Sequence, residues 1–272
     1  MKIKSLFAWG GLLGCLLGLV ACQTVQTTQP GTVGVDRKQT MFLSEAEVNK
    51  SAQLAYQQEI KKAQAKNVLN TNAAHVQRVR AIAQRLIPAT ATFRPDAPKW
   101  AWEVNVITSG DVNAWCMPGG KIAVYTGLIE KLKITDDELA AVMGHEIAHA
   151  LRVHGREQAS QAAVQQGLLG IGGALLGIGQ GGMQLASIVA DVTFNLPHSR
   201  TDEIEADRIG VELAARAGYD PRAAVTLWQK MGQVGGAGGP QFLSTHPAPE
   251  NRQKDLANYA AHVMPLYQKN KR

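Results

Sequence analysis

His145-Glu146-Ile147-Ala148-His149 constrains this chain more than any other stretch. The pattern H-E-x-x-H is useful only on a helix, where residues four apart are rotated by about 40° and share a face. Two neutral imidazoles can then hold one Zn²⁺, with the carboxylate between them left free beside the metal. That arrangement suits metal-assisted hydrolysis, with Glu146 as the base. The flanks predict the helix. Thr135-Asp136-Asp137-Glu138 reads as a capping box, Ile134 and Leu139 as a hydrophobic staple, and the two aspartates suit the positive end of the helix dipole. Arg152 and His154 are expected in its last turn, with Gly155 as the C-terminal cap.

A catalytic zinc usually takes three protein ligands and keeps one position open. The longer H-E-x-x-H-x-x-G-x-x-H pattern fails, because Arg152 stands for the glycine and Gly155 for the third histidine. On one continuous helix His154 falls about 180° from His145, which predicts a surface charge at the helix end. The better source of a ligand is Ser199–Asp207, where Glu203 and Asp207 are four apart. Glu203 can bind zinc while Asp207 accepts the second ring N–H of a ligand histidine. Glu205, rotated about 200° from Glu203, is not expected to share that duty. A solvated acidic helix is the other reading of the segment.

Taken together, HEIAHA, SRTDEIEAD and STHPAPENR resemble the gluzincin zinc metallopeptidases of the HtpX and CAAX-prenyl-protease kind, in their soluble, periplasm-facing branch. The likeness covers roughly residues 40–262. It implies an α+β fold, a mainly helical zincin-type domain with a small antiparallel sheet edging the cleft. It also implies one Zn²⁺ with His145, His149 and Glu203 as ligands, Glu146 as base and Asp207 behind the ligands. His246-Pro247 with Arg252 matches an H-P-x-x-x-x-R pattern of the same family. His246 is then a fourth ligand that blocks the water position, a donor to the developing oxyanion, or a loop histidine before the next helix. Asn113–Gly127 resembles the family's cleft-edging strand, so Asn113 and Ala114 are expected on an edge that pairs with an extended substrate.

The N-terminus reads as a lipoprotein leader. Residues 1–21 carry a basic start and a short apolar core, and Leu19-Val20-Ala21-Cys22 resembles a bacterial lipobox. This implies acylation of Cys22. With Gln23 rather than aspartate next, it favours the outer membrane, facing the periplasm. Residues 22–40, polar and rich in Thr, Gln and Gly, are expected to be a flexible tether, and 41–272 the peptidase domain. Of three cysteines only Cys116 would remain as a thiol, so no internal disulfide is expected. Without Lys2 and Lys4 the balance is 26 basic against 22 acidic residues. That mild excess has no tract suited to nucleic acid.

Elsewhere, helices are expected over Ser44–Lys66 and Ala73–Ile87, the latter stopped by Pro88, and strands over Ala101–Ile107, Ala114–Met117 and Lys121–Tyr125. Gly167–Ala190 is apolar and uncharged. It reads as a helical hairpin or mobile loop broken at Gly179–Gly182 rather than a membrane span, and Gly235–Gly239 as a second flexible stretch. The function expected is a zinc endopeptidase acting on unfolded or damaged envelope proteins. A chaperone-like assembly factor for outer-membrane proteins, working with their assembly machinery, is the alternative, and a lipoprotein with a vestigial site the third class. Retention of Glu146 argues against the last.

Overall fold

In the computed structural model, which describes residues 23–165, 180–234 and 240–271, the polar stretch after Cys22 does not hang free as a tether. Strands β1 (Gln23–Val25) and β2 (Gln39–Met41) pair antiparallel, and the loop between them sends Val33 and Val35 into the core. Its polar groups tolerate burial because they find partners. Thr27 Oγ1 donates to Gln39 Oε1 at 2.6 Å, and Gln39 Nε2 donates to Glu157 Oε2 at 2.7 Å. Residues 1–22, with the lipobox, lie outside the described residues.

Helix α1 (Glu45–Ala65) starts at a Ser44–Glu47 capping box. Helix α2 (Ala73–Ala89) runs two residues past the expected stop, with Pro88 in its last turn. Thr90 closes it by donating its Oγ1 hydrogen to Ile87 O. Strands β3 (Glu103–Ile107), β4 (Ala114–Met117) and β5 (Lys121–Tyr125) form one sheet in the order β3-β5-β4. The β4–β5 hairpin is antiparallel, turning at Gly119 and Gly120 (φ 80° and 82°), a backbone region glycine enters without strain. β3 pairs parallel to β5, so this sheet is mixed where an antiparallel one was expected. The reason is topological: the chain leaves β3, crosses to the far side, and β5 returns between the two.

Next come α3 (Thr126–Leu132), α4 (Asp136–Leu151), α5 (His154–Gln165), α6 (Gln180–Phe194), α7 (Arg200–Arg216), α8 (Ala223–Gln233), the short α9 (Gln241–Thr245) and α10 (Arg252–Asn270). α4 is the axis of the molecule, buried at every residue from Glu138 to Leu151 and packed by α7, α8, α2 and β4. Its crossing with α7 is backbone on backbone. A Cβ at Gly144 would sit 2.8 Å from Gly210 O, and one at Gly210 would sit 2.7 Å from His145 N. Only paired glycines permit that approach.

The expected break at Gly179–Gly182 is not seen at Gly181 and Gly182, which lie within α6. Residues 166–179 and the Gly235–Gly239 stretch lie outside the described residues. No helix among the described residues is long and apolar enough to cross a membrane.

Candidate metal centre

α4 starts as the sequence predicts. Glu138 N donates to Thr135 Oγ1 (3.2 Å), and Thr135 N donates to Glu138 Oε2 (2.8 Å). Its end differs. The helix stops at Leu151, and Val153, not Gly155, takes the left-handed conformation (φ 48°). A β-branched residue there is strained. The turn is held by Arg152, fully buried, which donates to Glu205 Oε2 and Arg37 O (both 2.9 Å). The chain then reverses into α5, and His154 points back at the site. The expectation of a surface His154 therefore fails: it is fully buried, 2.9 Å from His149 Nδ1 and 3.0 Å from Glu205 Oε2. The 180° reckoning assumed one continuous helix.

α7, capped by Ser199 Oγ accepting from Asp202 N, brings Glu203 opposite the α4 histidines. His145 Nε2 and His149 Nε2 are 3.1 Å apart. Glu203 lies 3.4 Å from His149 Nε2 and 3.6 Å from His145 Nε2. His246, just after α9, puts Nδ1 2.9 Å from Glu203 Oε1 and 3.3 Å from His145 Nε2. These four residues offer donor atoms that all lie within 4.8 Å of one another. Ligand bonds of about 2.0–2.1 Å in a tetrahedron place donors about 3.3 Å apart. The measured separations of 2.9 to 3.6 Å straddle that edge. Three imidazoles and one carboxylate, turned inward on a common centre, fit a zinc ion.

The supports are equally buried. Arg252 donates Nε to Asp207 Oδ2 (2.7 Å) and Nη2 to Asp207 Oδ1 (2.9 Å) and Glu203 Oε2 (2.7 Å), with its guanidinium 3.3 Å from the Trp228 ring centroid. Asp207 Oδ1 lies 3.0 Å from His145 Nδ1, though off the line a full hydrogen bond needs. Burial lifts the Asp207 carboxyl to about 6, against the pull of Arg252. Burial also opposes ionisation of Glu203, yet His246, His149 and His145 hold it well below the usual carboxylate range. For Glu146 burial wins and raises the carboxyl, with His246 and His149 opposing. Its Oε1 is buried with no hydrogen-bond partner among the described residues.

Glu146, His149 and His246 face a cavity of about 30 Å³. α6 roofs it with Val192 and Thr193, and β4 supplies Trp115 and Cys116. Asn113 and Ala114 are buried near the start of β4 and do not line the cavity. Phe242 N already takes the carbonyl of Val112 beside them. Cys116 is the buried strand thiol expected, pushed well up by burial. Sequence reasoning misplaced His154 and passed over His198, which is stacked on His149 with centroids 4.1 Å apart and on His246 at 5.2 Å. It sits in the loop before α7, where no periodic pattern marks it.

A helix-borne histidine pair, a glutamate facing it from a second helix and another glutamate at a small cavity fit a mononuclear zinc-hydrolase type of site. Residues 73–260 match Peptidase family M48, and the chain belongs to that family. It is 42% identical over 168 residues to the mitochondrial metalloendopeptidase OMA1 of Arabidopsis thaliana, covering 60% of this chain and 32% of the relative. To the mitochondrial metalloendopeptidase OMA1 of Bos taurus it is 36% identical over 195 residues, 65% and 36% of the two chains. To the beta-barrel assembly-enhancing protease of Escherichia coli it is 28% identical over 170 residues, 59% and 35% of the two chains. The matched region thus spans about a third of each of these relatives.

Proposed function

We propose that the chain is a zinc-dependent metalloendopeptidase that hydrolyses peptide bonds of unfolded or damaged proteins of the cell envelope. The observation that carries this reading is Glu146, whose buried Oε1 makes no hydrogen bond, has His246 Nε2 3.5 Å away, and shares a small cavity with His149 and His246. His145, His149 and Glu203 hold the metal. Bound there, zinc would supply Lewis acidity and a water acidic enough to ionise near neutral pH. Glu146 accepts the proton of the attacking water and returns it to the leaving amine; its raised pKa suits both steps. Asp207 orients the His145 ring, and Arg252 fixes Asp207 and Glu203 together.

His246 stands at the fourth vertex of the donor set, where it would exclude a water. We read this as a closed resting state, opened when the segment carrying His246 withdraws; His246 is then free to donate to the oxyanion. Substrate would enter extended along the outer edge of β4, on the cavity side of Trp115 and Cys116. Unfolded chains suit such backbone pairing. Similarity to the E. coli protease supports a bacterial envelope setting, and the lipobox supports an anchor at Cys22 on the outer membrane, facing the periplasm.

The test is zinc content and cleavage of an unfolded substrate by the wild type and by Glu146→Gln. The expected result is one zinc per chain in both, with cleavage in the wild type alone. Equal cleavage by the two would remove Glu146 from the chemistry.

A further inference from the structure

A second buried polar cluster lies directly behind the ligand His149. His154, Asp202 and Glu205 could by donor type hold a metal of their own. Their carboxylates, however, are already held by guanidiniums, one of which Glu157 also shares. Arg37 bonds Glu205 Oε1 through Nε (2.7 Å) and Asp202 Oδ1 through Nη2 (2.9 Å). Arg152 bonds Glu205 Oε2 (2.9 Å). Two guanidiniums fill the role a cation would have.

What remains is an ordered row of hydrogen bonds with one consistent set of protons. His149 meets the donor set through Nε2, so its proton is on Nδ1. Among the described residues that N–H has one hydrogen-bond partner, His154 Nδ1 at 2.9 Å, which must therefore accept. His154 then carries its proton on Nε2 and donates it to Glu205 Oε2 at 3.0 Å. Each tautomer fixes the next. We propose that His154 is a positioning residue that fixes the ring and tautomer of the ligand His149, with Glu205 behind it and Arg37 of the N-terminal segment completing the support.

The proposal gives His149 what Asp207 gives His145. It also explains two costs in the structure. The strained left-handed Val153 is the turn that brings His154 back over His149. The ordering of residues 23–40 places Arg37, with Thr27 and Thr28 on Arg152, as the outer layer of the network. The N-terminal segment is thereby part of the metal site's framework.

The proposal rests on the reading of His145, His149 and Glu203 as zinc ligands, and its test separates the two. Zinc affinity of the full chain is measured by competition with a chromogenic chelator, alongside ¹⁵N shifts of the His149 ring and the unfolding temperature of the zinc-free chain. Asparagine carries Oδ1 where histidine carries Nδ1, so His154→Asn can still accept from the His149 Nδ1–H, whereas His154→Leu, of similar bulk, offers no acceptor. His154→Leu is expected to weaken zinc about 10- to 100-fold, the range for lost outer supports of a ligand, and to blur the ¹⁵N signature of the single His149 tautomer. His154→Asn should restore most of both. A wild type that binds no zinc overturns the ligand reading itself. A wild type that binds zinc, with both variants binding equally well, overturns only the role of His154. Equal weakening in both variants, tracking a common loss of zinc-free stability, also overturns it in favour of plain packing. Should either variant fail to fold, Glu205→Gln serves instead: a several-fold weaker zinc affinity supports the network, and unchanged affinity overturns it.

Discussion

Replacing Gly210 with alanine puts a methyl group where α4 and α7 touch backbone to backbone. The new Cβ would lie 2.7 Å from His145 N, 2.9 Å from His145 Cα and 3.0 Å from Gly144 C, where ordinary contact begins at 3.4 Å. None of these atoms belongs to a side chain that can rotate away. The helices must part by about 0.7 Å, the difference between 3.4 and 2.7. Overfilling a packed contact costs about 1–3 kcal/mol, and alanine recovers about 1 kcal/mol of helix propensity over glycine. The balance at a rigid contact is a net loss of up to about 2 kcal/mol, at about 2–4 °C per kcal/mol for a domain of this size.

The metal arm of the same prediction is sharper. His145 sits at the contact itself, and Glu203 rides on α7 two turns before Gly210. Ligand distances in zinc sites fall within about 0.2 Å of their standard values, so the separation should weaken zinc about 10-fold or more. Gly232→Ala is the control. It lies in α8 with nothing within 4 Å of its built Cβ, and should leave zinc unchanged while gaining about 0.5–1 kcal/mol. The assays are thermal unfolding of the zinc-free chain and equilibrium dialysis against labelled zinc. If Gly210→Ala matches Gly232→Ala in both, the glycine crossing does not set the ligand geometry and the reasoning fails.

If His145, His149 and Glu203 are the ligands as proposed, His246→Ala should leave zinc content intact while changing the rate of peptide cleavage; unchanged turnover on unfolded substrates would take His246 out of the site. Glu138→Gln tests the start of α4. Burial would raise this carboxyl, yet Lys230, the Thr135 backbone and Thr226 hold it below its ordinary value. A depressed carboxylate stabilises the fold fully above its unfolded pKa of about 4.3, and the contribution fades as pH falls through the lower folded value. The variant should therefore lose about 1 kcal/mol at neutral pH, a modest figure because Lys230 is partly exposed, and nothing in strong acid; a loss of the same size at both ends, read from urea midpoints, would refute the assignment.

The legible parts of this molecule were those whose residues obey a helical period. Capping at Thr135, the shared face of His145 and His149, and the four-residue spacing of Glu203 and Asp207 all follow from 3.6 residues per turn, and the structure brings those side chains to one point. Pattern reasoning stopped where the period stopped. Val153 gives no turn signal, since a β-branched residue is a poor choice for positive φ. The break is imposed from outside by Arg152, whose partners lie more than fifty residues away in either direction. The same limit misjudged residues 23–40. A segment with few apolar residues reads as unfoldable because periodicity counts only burial of apolar surface. This one gains its place through Gln39, Arg37 and two threonines, each satisfied by charged or polar groups of Arg152, α5 and α7. Buried polar networks of that kind are specified by pairs far apart in sequence, so no local window reveals them. Here the network ends on His149, and the part of the fold least visible in the sequence is therefore the part that stands directly behind the motif most visible in it.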